Sequence, residues 1–203
     1  MTNDSQLLSA IVLAGGKSSR MGQDKALLPV HGVPLLQRVC RIAAGCADTV
    51  YIVTPWIERY QHLTLPHCQF IREMPLSGET GNEPLNHGPL VGFAQGLVQV
   101  KTDWVLLLAC DLPKLRLEVL QTWAAELDNV EGEAIAALTR SHQGWEPLCG
   151  FYRRRCLPQL LEFINQGGRS FQQWLKLHPV KVLPLPTPEI LFNCNTPEDW
   201  ALI

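Results

Sequence analysis

Two stretches of the chain are apolar almost without a break, Leu8–Ala14 and the run "DWVLLLA" at Asp103–Ala109. A strand with one wet face alternates polar and apolar residues; these do not, so both of their faces must be covered. That requirement points to a parallel sheet sandwiched between helices, because a parallel strand pair is joined by a helical crossover that covers a face. The rest of the chain supplies the pieces. Strands are expected at Thr49–Val53, Gln69–Arg72, Ala134–Leu138 and Pro147–Tyr152. Helices are expected at Pro34–Gly45, Pro89–Val100, Arg116–Leu127, Cys156–Asn165 and Ser170–Leu177. Pro34 suits a first helical position, and Gly45 a helix end. The proline-spaced stretch Leu183–Pro188 is expected to run over the surface, and Thr196 to cap a last short helix. Residues 73–88 form the one long loop, of the length usually given to binding loops or disorder.

With 203 residues, 46% of them hydrophobic, the chain can bury one sizeable core, and a single domain over 1–203 is expected. A net charge of -2 argues against general affinity for nucleic acid or an acidic membrane. Seven cysteines, with no Cys-x-x-Cys pair, fit reduced and mostly buried thiols better than a disulfide framework or a zinc site. The opening Met-Thr-Asn-Asp-Ser-Gln lacks the parts of a secretion signal, and no apolar run reaches membrane-spanning length, so a cytoplasmic protein is expected.

In open α/β sheets, ligands sit beyond the carboxyl ends of the strands, and two such ends carry polar chemistry. The first is "LAGGKSSRMGQDK", Leu13 to Lys25. Gly16-Lys17-Ser18 imitates a P-loop, but the glycine required five residues earlier is Ile11, inside the strand. Gly15 and Gly16 read either as a tight turn or as a place where backbone N–H groups approach an anion, with Arg20 and Lys25 adding full charges. The second is Cys110-Asp111-Leu112-Pro113. Asp111 reads either as a turn starter or as a ligand to a hard divalent cation shared with phosphate oxygens. A nucleoside triphosphate with Mg²⁺ suits the two ends together. Trp104, Phe93 and Trp123 read as packing residues, Cys110 as a buried thiol, and the scattered histidines carry no metal-like spacing.

"IVLAGGKSSRMGQDKALLPVHGVPLL" (11–36) resembles the opening of the nucleotidyltransferases, roughly L-A-G-G-x-S-x-R-M-G-x-D-K followed by G-x-P-L-L. With "GPLVG" (88–92), "ACDLP" (109–113), "EPLCGFYRRRCLPQLLEFINQGGRSFQQWL" (146–175) and "FNCNTPEDW" (192–200), the chain is similar to the molybdenum cofactor guanylyltransferases over most of its length. The first motif is shared with sugar and cytidylyl relatives; the last two are more discriminating. The resemblance implies a Rossmann-like, three-layer α/β/α nucleotidyltransferase fold with a mostly parallel sheet. It also implies transfer of GMP from GTP to the terminal phosphate of molybdopterin, with release of pyrophosphate.

Residue by residue, the resemblance implies that Leu13, Ala14 and Gly15 form the nucleotide-binding backbone and that Lys25 contacts the triphosphate. Asp111 matches the family's Mg²⁺-binding aspartate, and Arg20 is the arginine of the opening motif. Two positions depart from the pattern: Glu73 stands where relatives often carry Asp, and Thr54 where they commonly carry Asn. A carboxylate at Glu73, or carbonyls near Gly88, could accept from the adjacent N–H donors of guanine. The N-terminal half is expected to bind nucleotide and the C-terminal third molybdopterin, with Arg169, Ser170, Asn193 and Asn195 as candidates. For the Thr196 to Asp199 turn, a helix-capping pair is the competing reading. Implied partners are GTP, molybdopterin, and other proteins of molybdenum cofactor biosynthesis with client molybdoenzymes or their chaperones. Cytidylyl transfer to a phosphorylated acceptor, or a non-catalytic cofactor chaperone, are the alternatives; Lys25 and Asp111 together speak against the latter.

Overall fold

The computed structural model describes residues 7–16, 23–76, 87–194 and 196–203. Its first half runs β1 (Ser9–Leu13), β2 (Pro29–Val30), β3 (Val33–Pro34), α1 (Leu35–Ala44), β4 (Thr49–Thr54), α2 (Ile57–Tyr60), β5 (Cys68–Arg72), α3 (Pro89–Gln99) and β6 (Trp104–Ala109). The second half adds α4 (Leu117–Ala125), β7 (Ala136–Ser141), β8 (Gly144–Arg153), α5 (Leu157–Asn165), α6 (Phe171–Leu175), β9 (Val180–Val182) and α7 (Pro197–Trp200). A seven-stranded sheet has the order β5-β4-β1-β6-β8-β7-β9. Its strands are parallel except β8, which pairs antiparallel with both β6 and β7.

The unbroken apolar strands serve two cores. Along β1, Ala10 and Val12 face a core shared with α1 and α4, while Ile11 faces a second core shared with α3, α5 and α6. In β6, Trp104, Leu106 and Leu108 take the first side, Val105 and Leu107 the second. This is the three-layer arrangement expected from the apolar runs. Each fully buried leucine or isoleucine in it contributes roughly 1.5–3 kcal/mol. Helix α3 lies especially close to the sheet: a Cβ on Gly96 would stand 2.9 Å from Val53 Cγ2 and 3.1 Å from Ile11 Cδ1. Trp104, Phe93 and Trp123 are buried core residues, as expected.

Several expectations need correction. Pro34 does not open α1; it is extended (φ -51, ψ 136) and pairs with Pro29 in the small β2-β3 ladder. The Leu35 N–H then donates to the Leu28 carbonyl, so the hairpin delivers the chain into the helix. Gly45 does end α1, but with a right-handed φ of -76. Its missing side chain matters because a Cβ there would meet the Leu117 methyls at 2.7 Å. The stretch expected on the surface does run there, with Pro184, Pro186 and Pro188 exposed, but its first residue is tied inward: Leu183 is buried, and its N–H donates to the Leu138 carbonyl as β9 ends. Trp123 Nε1 holds the next carbonyl, that of Pro184, at 2.8 Å.

Register sets the site. Leu13 lies opposite Val53 on one side and Ala109 on the other, and Thr54 opposite Arg72. Ala14, Glu73 and Cys110 therefore leave the sheet at one level along its carboxyl edge.

Candidate active site

At that edge is a cleft of about 420 Å³, within the range of small-molecule sites. Its wall is made by Leu13 to Gly16 after β1, Asp24 to Ala26, Glu73 after β5, His87 to Pro89 at the start of α3, and Ala109 to Asp111 after β6. Of the residues expected to act, Leu13, Ala14, Gly15, Lys25, Glu73 and Asp111 all come to this one cleft. Arg20 lies outside the described residues.

The glycine loop is fixed from beneath. Ala14 N–H donates to the Val53 carbonyl at 2.9 Å, and Cys110 N–H to the Leu13 carbonyl at 3.1 Å. Thr54 is fully buried; its Oγ1 donates to the Ala14 carbonyl at 2.8 Å and accepts from Trp56 N–H at 3.1 Å. The residue that departs from the family pattern thus braces the loop from inside the protein. Gly15 packs close to Glu73, since a Cβ would come within 3.2 Å of Glu73 Oε2. Gly88, at φ +77, precedes α3 without a side-chain cap, and Pro89 opens the helix with no N–H of its own to satisfy.

Lys25 and Asp111 form the charged floor. Lys25 Nζ stands 3.1 Å from Asp111 Oδ2 and donates to the Cys194 carbonyl at 3.0 Å; the two side chains are only 12% and 22% exposed. Lys25 opens a short 3-10 turn, Lys25–Leu27, capped by Asp24, which accepts from Ala26 N–H. Asp24 in turn accepts from the Tyr60 hydroxyl at 2.8 Å and lies 3.6 Å from Arg59. Burial and the Asp24 carboxylate both push the Tyr60 phenol up, keeping it a donor. Burial, reinforced by the neighbouring Asp111 charge, pushes the Cys110 thiol up, so it is a protonated packing group and no nucleophile. Burial also raises Glu73 above the ordinary carboxylate range.

Asp111 offers a hard oxygen donor in the cleft, and Asp24's oxygens are already engaged. Among the described residues no group of three His, Cys, Asp or Glu side chains could hold a metal alone. A lone carboxylate completed by phosphate oxygens and water suits a small hard cation such as Mg²⁺ and does not suit zinc. The residues present fit the expected ion.

The C-terminal candidates divide. Arg169 Nη1 donates to the Ile164 and Gly168 carbonyls, closing the end of α5, and Ser170 accepts from Gln173 N–H as the cap of α6. Thr196 and Asp199 cap each other's backbone N–H groups at 2.9 and 3.2 Å, the reciprocal box of the structural reading. Asn193 is exposed, and Asn195 lies outside the described residues. Sequence reasoning missed Asp24, Tyr60, His87 and Leu148 as cleft residues, and the Cys194 carbonyl as a partner of Lys25. Asp24 had a signal, its place beside Lys25 in the opening motif; Tyr60 had none.

Such a cleft, at the carboxyl edge of a largely parallel sheet and floored by one lysine-aspartate pair, defines a nucleotide-handling α/β enzyme. The MobA-like NTP transferase domain matches residues 10–180, and the chain belongs to that family. It is 73% identical to a probable molybdenum cofactor guanylyltransferase of Nostoc sp., over 97% of this chain and 90% of the relative. It is 31% identical to the molybdenum cofactor guanylyltransferase of Vibrio cholerae, over 95% and 89%. Among solved structures it resembles molybdopterin-guanine dinucleotide biosynthesis protein A from Archaeoglobus fulgidus, with a TM-score of 0.72, 22% identity, and 96% and 95% of the two chains covered; that likeness shows the fold.

Proposed function

We propose that the protein transfers GMP from GTP to the terminal phosphate of molybdopterin. The observation that carries this reading is the Lys25–Asp111 pair, 3.1 Å apart on the cleft floor directly beside the glycine loop. The relatives named molybdenum cofactor guanylyltransferases support this choice of substrates.

An acceptor phosphate oxygen attacks the α-phosphorus of GTP, the bond from that phosphorus to the bridging oxygen breaks, and pyrophosphate leaves with the electron pair. The attacking oxygen is already anionic at neutral pH, so the chain need supply no general base. Its task is to bring two anions together. Backbone N–H groups of Gly15 and Gly16 and the start of α3 receive phosphate oxygens, and Lys25 neutralises the triphosphate. Arg20 belongs to the same loop and is assigned the same work. Asp111 would hold Mg²⁺, which when bound spreads the phosphate charge and steadies the leaving group. Lys25 meets Asp111 and the Cys194 carbonyl now; substrate phosphate would take over part of that hydrogen bonding. Glu73, beside Gly15 and Gly92, accepts from the guanine N–H donors.

The N-terminal half then serves the nucleotide. The chain around Cys194, whose carbonyl reaches Lys25, brings the C-terminal third to the phosphate end, where molybdopterin is accepted. Arg169 Nη1 and the Ser170 hydroxyl also serve helix ends, which makes them weaker pterin candidates. One domain over 1–203 carries both halves. Seven free cysteines support a reducing, cytoplasmic setting, in which other proteins of cofactor biosynthesis and client molybdoenzymes or their chaperones would receive the product. Among the described residues no helix is long and apolar enough to cross a membrane. The test offers each of the four nucleoside triphosphates with Mg²⁺ and molybdopterin and measures pyrophosphate release. GTP alone should turn over; a preference for CTP would overturn the assignment.

A further inference from the structure

Glu73 stands at the point where β5 ends, and the next residue is held in an unusual way. The Gln95 side chain makes a two-point pair with the backbone of Met74: Oε1 accepts from Met74 N–H at 2.8 Å, and Nε2 donates to the Met74 carbonyl at 2.8 Å. An amide used like this imitates one rung of a β-ladder, on a segment that has left the sheet. From the other side, Glu73 N–H donates to the Thr54 carbonyl at 3.0 Å. The chain at 73–74 is therefore pinned at consecutive residues, once to the sheet and once to α3.

Helix α3 is a rigid anchor for this purpose. Gly96, next to Gln95, lets the helix rest against Val53 and Ile11 at distances that leave no room for a methyl group. The carboxylate beside these pins lies against two glycines of the cleft: its Oε2 would be 3.2 Å from a Cβ on Gly15 and 3.7 Å from one on Gly92. Met74 itself is 56% exposed, so apolar burial is not what keeps this segment in place.

We infer that Gln95 is a positioning residue for base selection: its amide, by pinning Met74 to α3, fixes the Glu73 carboxylate where it reads the nucleobase. This rests on the reading of Glu73 as the acceptor for guanine. Gln95 touches no substrate, and its effect passes through the backbone of Met74. Two neutral hydrogen bonds are at stake, which puts the expected effect at about tenfold.

The test measures initial rates with GTP and with CTP for wild type, Gln95→Leu, Gln95→Glu and Glu73→Gln, together with the melting temperature of each. Gln95→Leu removes both bonds at similar volume. It should raise KM for GTP about tenfold, reduce the preference for GTP over CTP in proportion, and lower kcat by less than about threefold. Gln95→Glu keeps the acceptor for Met74 N–H and should lose less. Adding Gln95→Leu to Glu73→Gln should cost little more than Glu73→Gln alone, since the first acts through the second. A Gln95→Leu protein with altered melting temperature but wild-type KM and base preference would overturn the positioning role. If Glu73→Gln keeps full base preference, the reading of Glu73 itself fails, and the role of Gln95 fails with it.

Discussion

Replacing Asp111 by Asn keeps the shape of the side chain and removes its charge, so the loss can be worked out from the groups around it. The carboxylate stands 3.1 Å from Lys25 Nζ, with both side chains mostly withdrawn from water. At an effective dielectric of about 20, a unit pair near 4 Å attracts by roughly 4 kcal/mol. Much of that is offset by the cost of desolvating the two groups, and the amide oxygen of the replacement still accepts from Lys25. A net stability loss of about 1–2 kcal/mol is expected. Sequence alone points the other way, to little change or even a gain, because without the lysine in view Asp111 reads as an unpaired carboxylate. Turnover should fall at least about a hundredfold, the usual scale for one preorganised electrostatic contact. The assay is pyrophosphate release from GTP against Mg²⁺ concentration, with a melting curve on the same preparation. A variant with wild-type turnover at the same metal requirement would leave Asp111 as a turn residue and place the ion elsewhere.

Lys25→Ala removes the bonds to both Asp111 and the Cys194 carbonyl and leaves a carboxylate without its cation. Turnover should drop about two to three orders of magnitude, and near-normal activity in a folded variant would refute the triphosphate role. Tyr60→Phe deletes a buried donor to Asp24 and should cost about 1.5 kcal/mol in denaturant melts; an unchanged midpoint would mean that Asp24 holds the Lys25 turn without it. For Glu73, burial raises the carboxyl above its ordinary value of 4.5. The folded state thus binds the proton more tightly than the unfolded chain, and ionisation costs stability. That penalty is absent below about pH 4.5, grows as pH rises, and is complete above the raised folded value. Glu73→Gln should therefore melt higher than wild type at pH 7 and at nearly the same temperature at pH 4; an equal gain at both pH values would refute the burial effect.

The parts of this protein that could be read from its sequence are those that depend on neighbours in the chain. Unbroken apolar runs announced β1 and β6 because a strand covered on both faces admits few polar residues, and Gly88-Pro89 announced α3 because the pair suits a helix start. The opposed direction of β8 had no such mark. Its strand residues look the same read either way, and only the hairpin at Gly144, with φ +118, turns the chain back. Helix α2, four residues long, and β9, three, were too short for a period to show.

The site divides along the same line, and the division explains its construction. Ala14, Gly15, Lys25 and Asp111 were legible because they sit at strand ends or in one contiguous motif. Their supports come from far along the chain: Tyr60 reaches Asp24 across 36 residues, Thr54 reaches Ala14 across 40, and the Cys194 carbonyl reaches Lys25 across 169. Contacts of that kind leave no spacing to read. They also bear different loads. On the proposed reaction the glycine loop must stay fixed against repulsion between two polyanions, and its backbone is braced from beneath by the buried Thr54 hydroxyl. The side proposed to read the base faces a smaller demand, to distinguish one pattern of donors from another, and is pinned by the side-chain amide of Gln95. Substitutions beneath the glycine loop should therefore lower kcat/KM for every nucleotide alike, whereas substitutions along the β5 exit should change which nucleotide is preferred. That contrast is measurable by comparing Thr54→Val with Gln95→Leu on GTP and CTP, and equal loss of preference in the two variants would refute it.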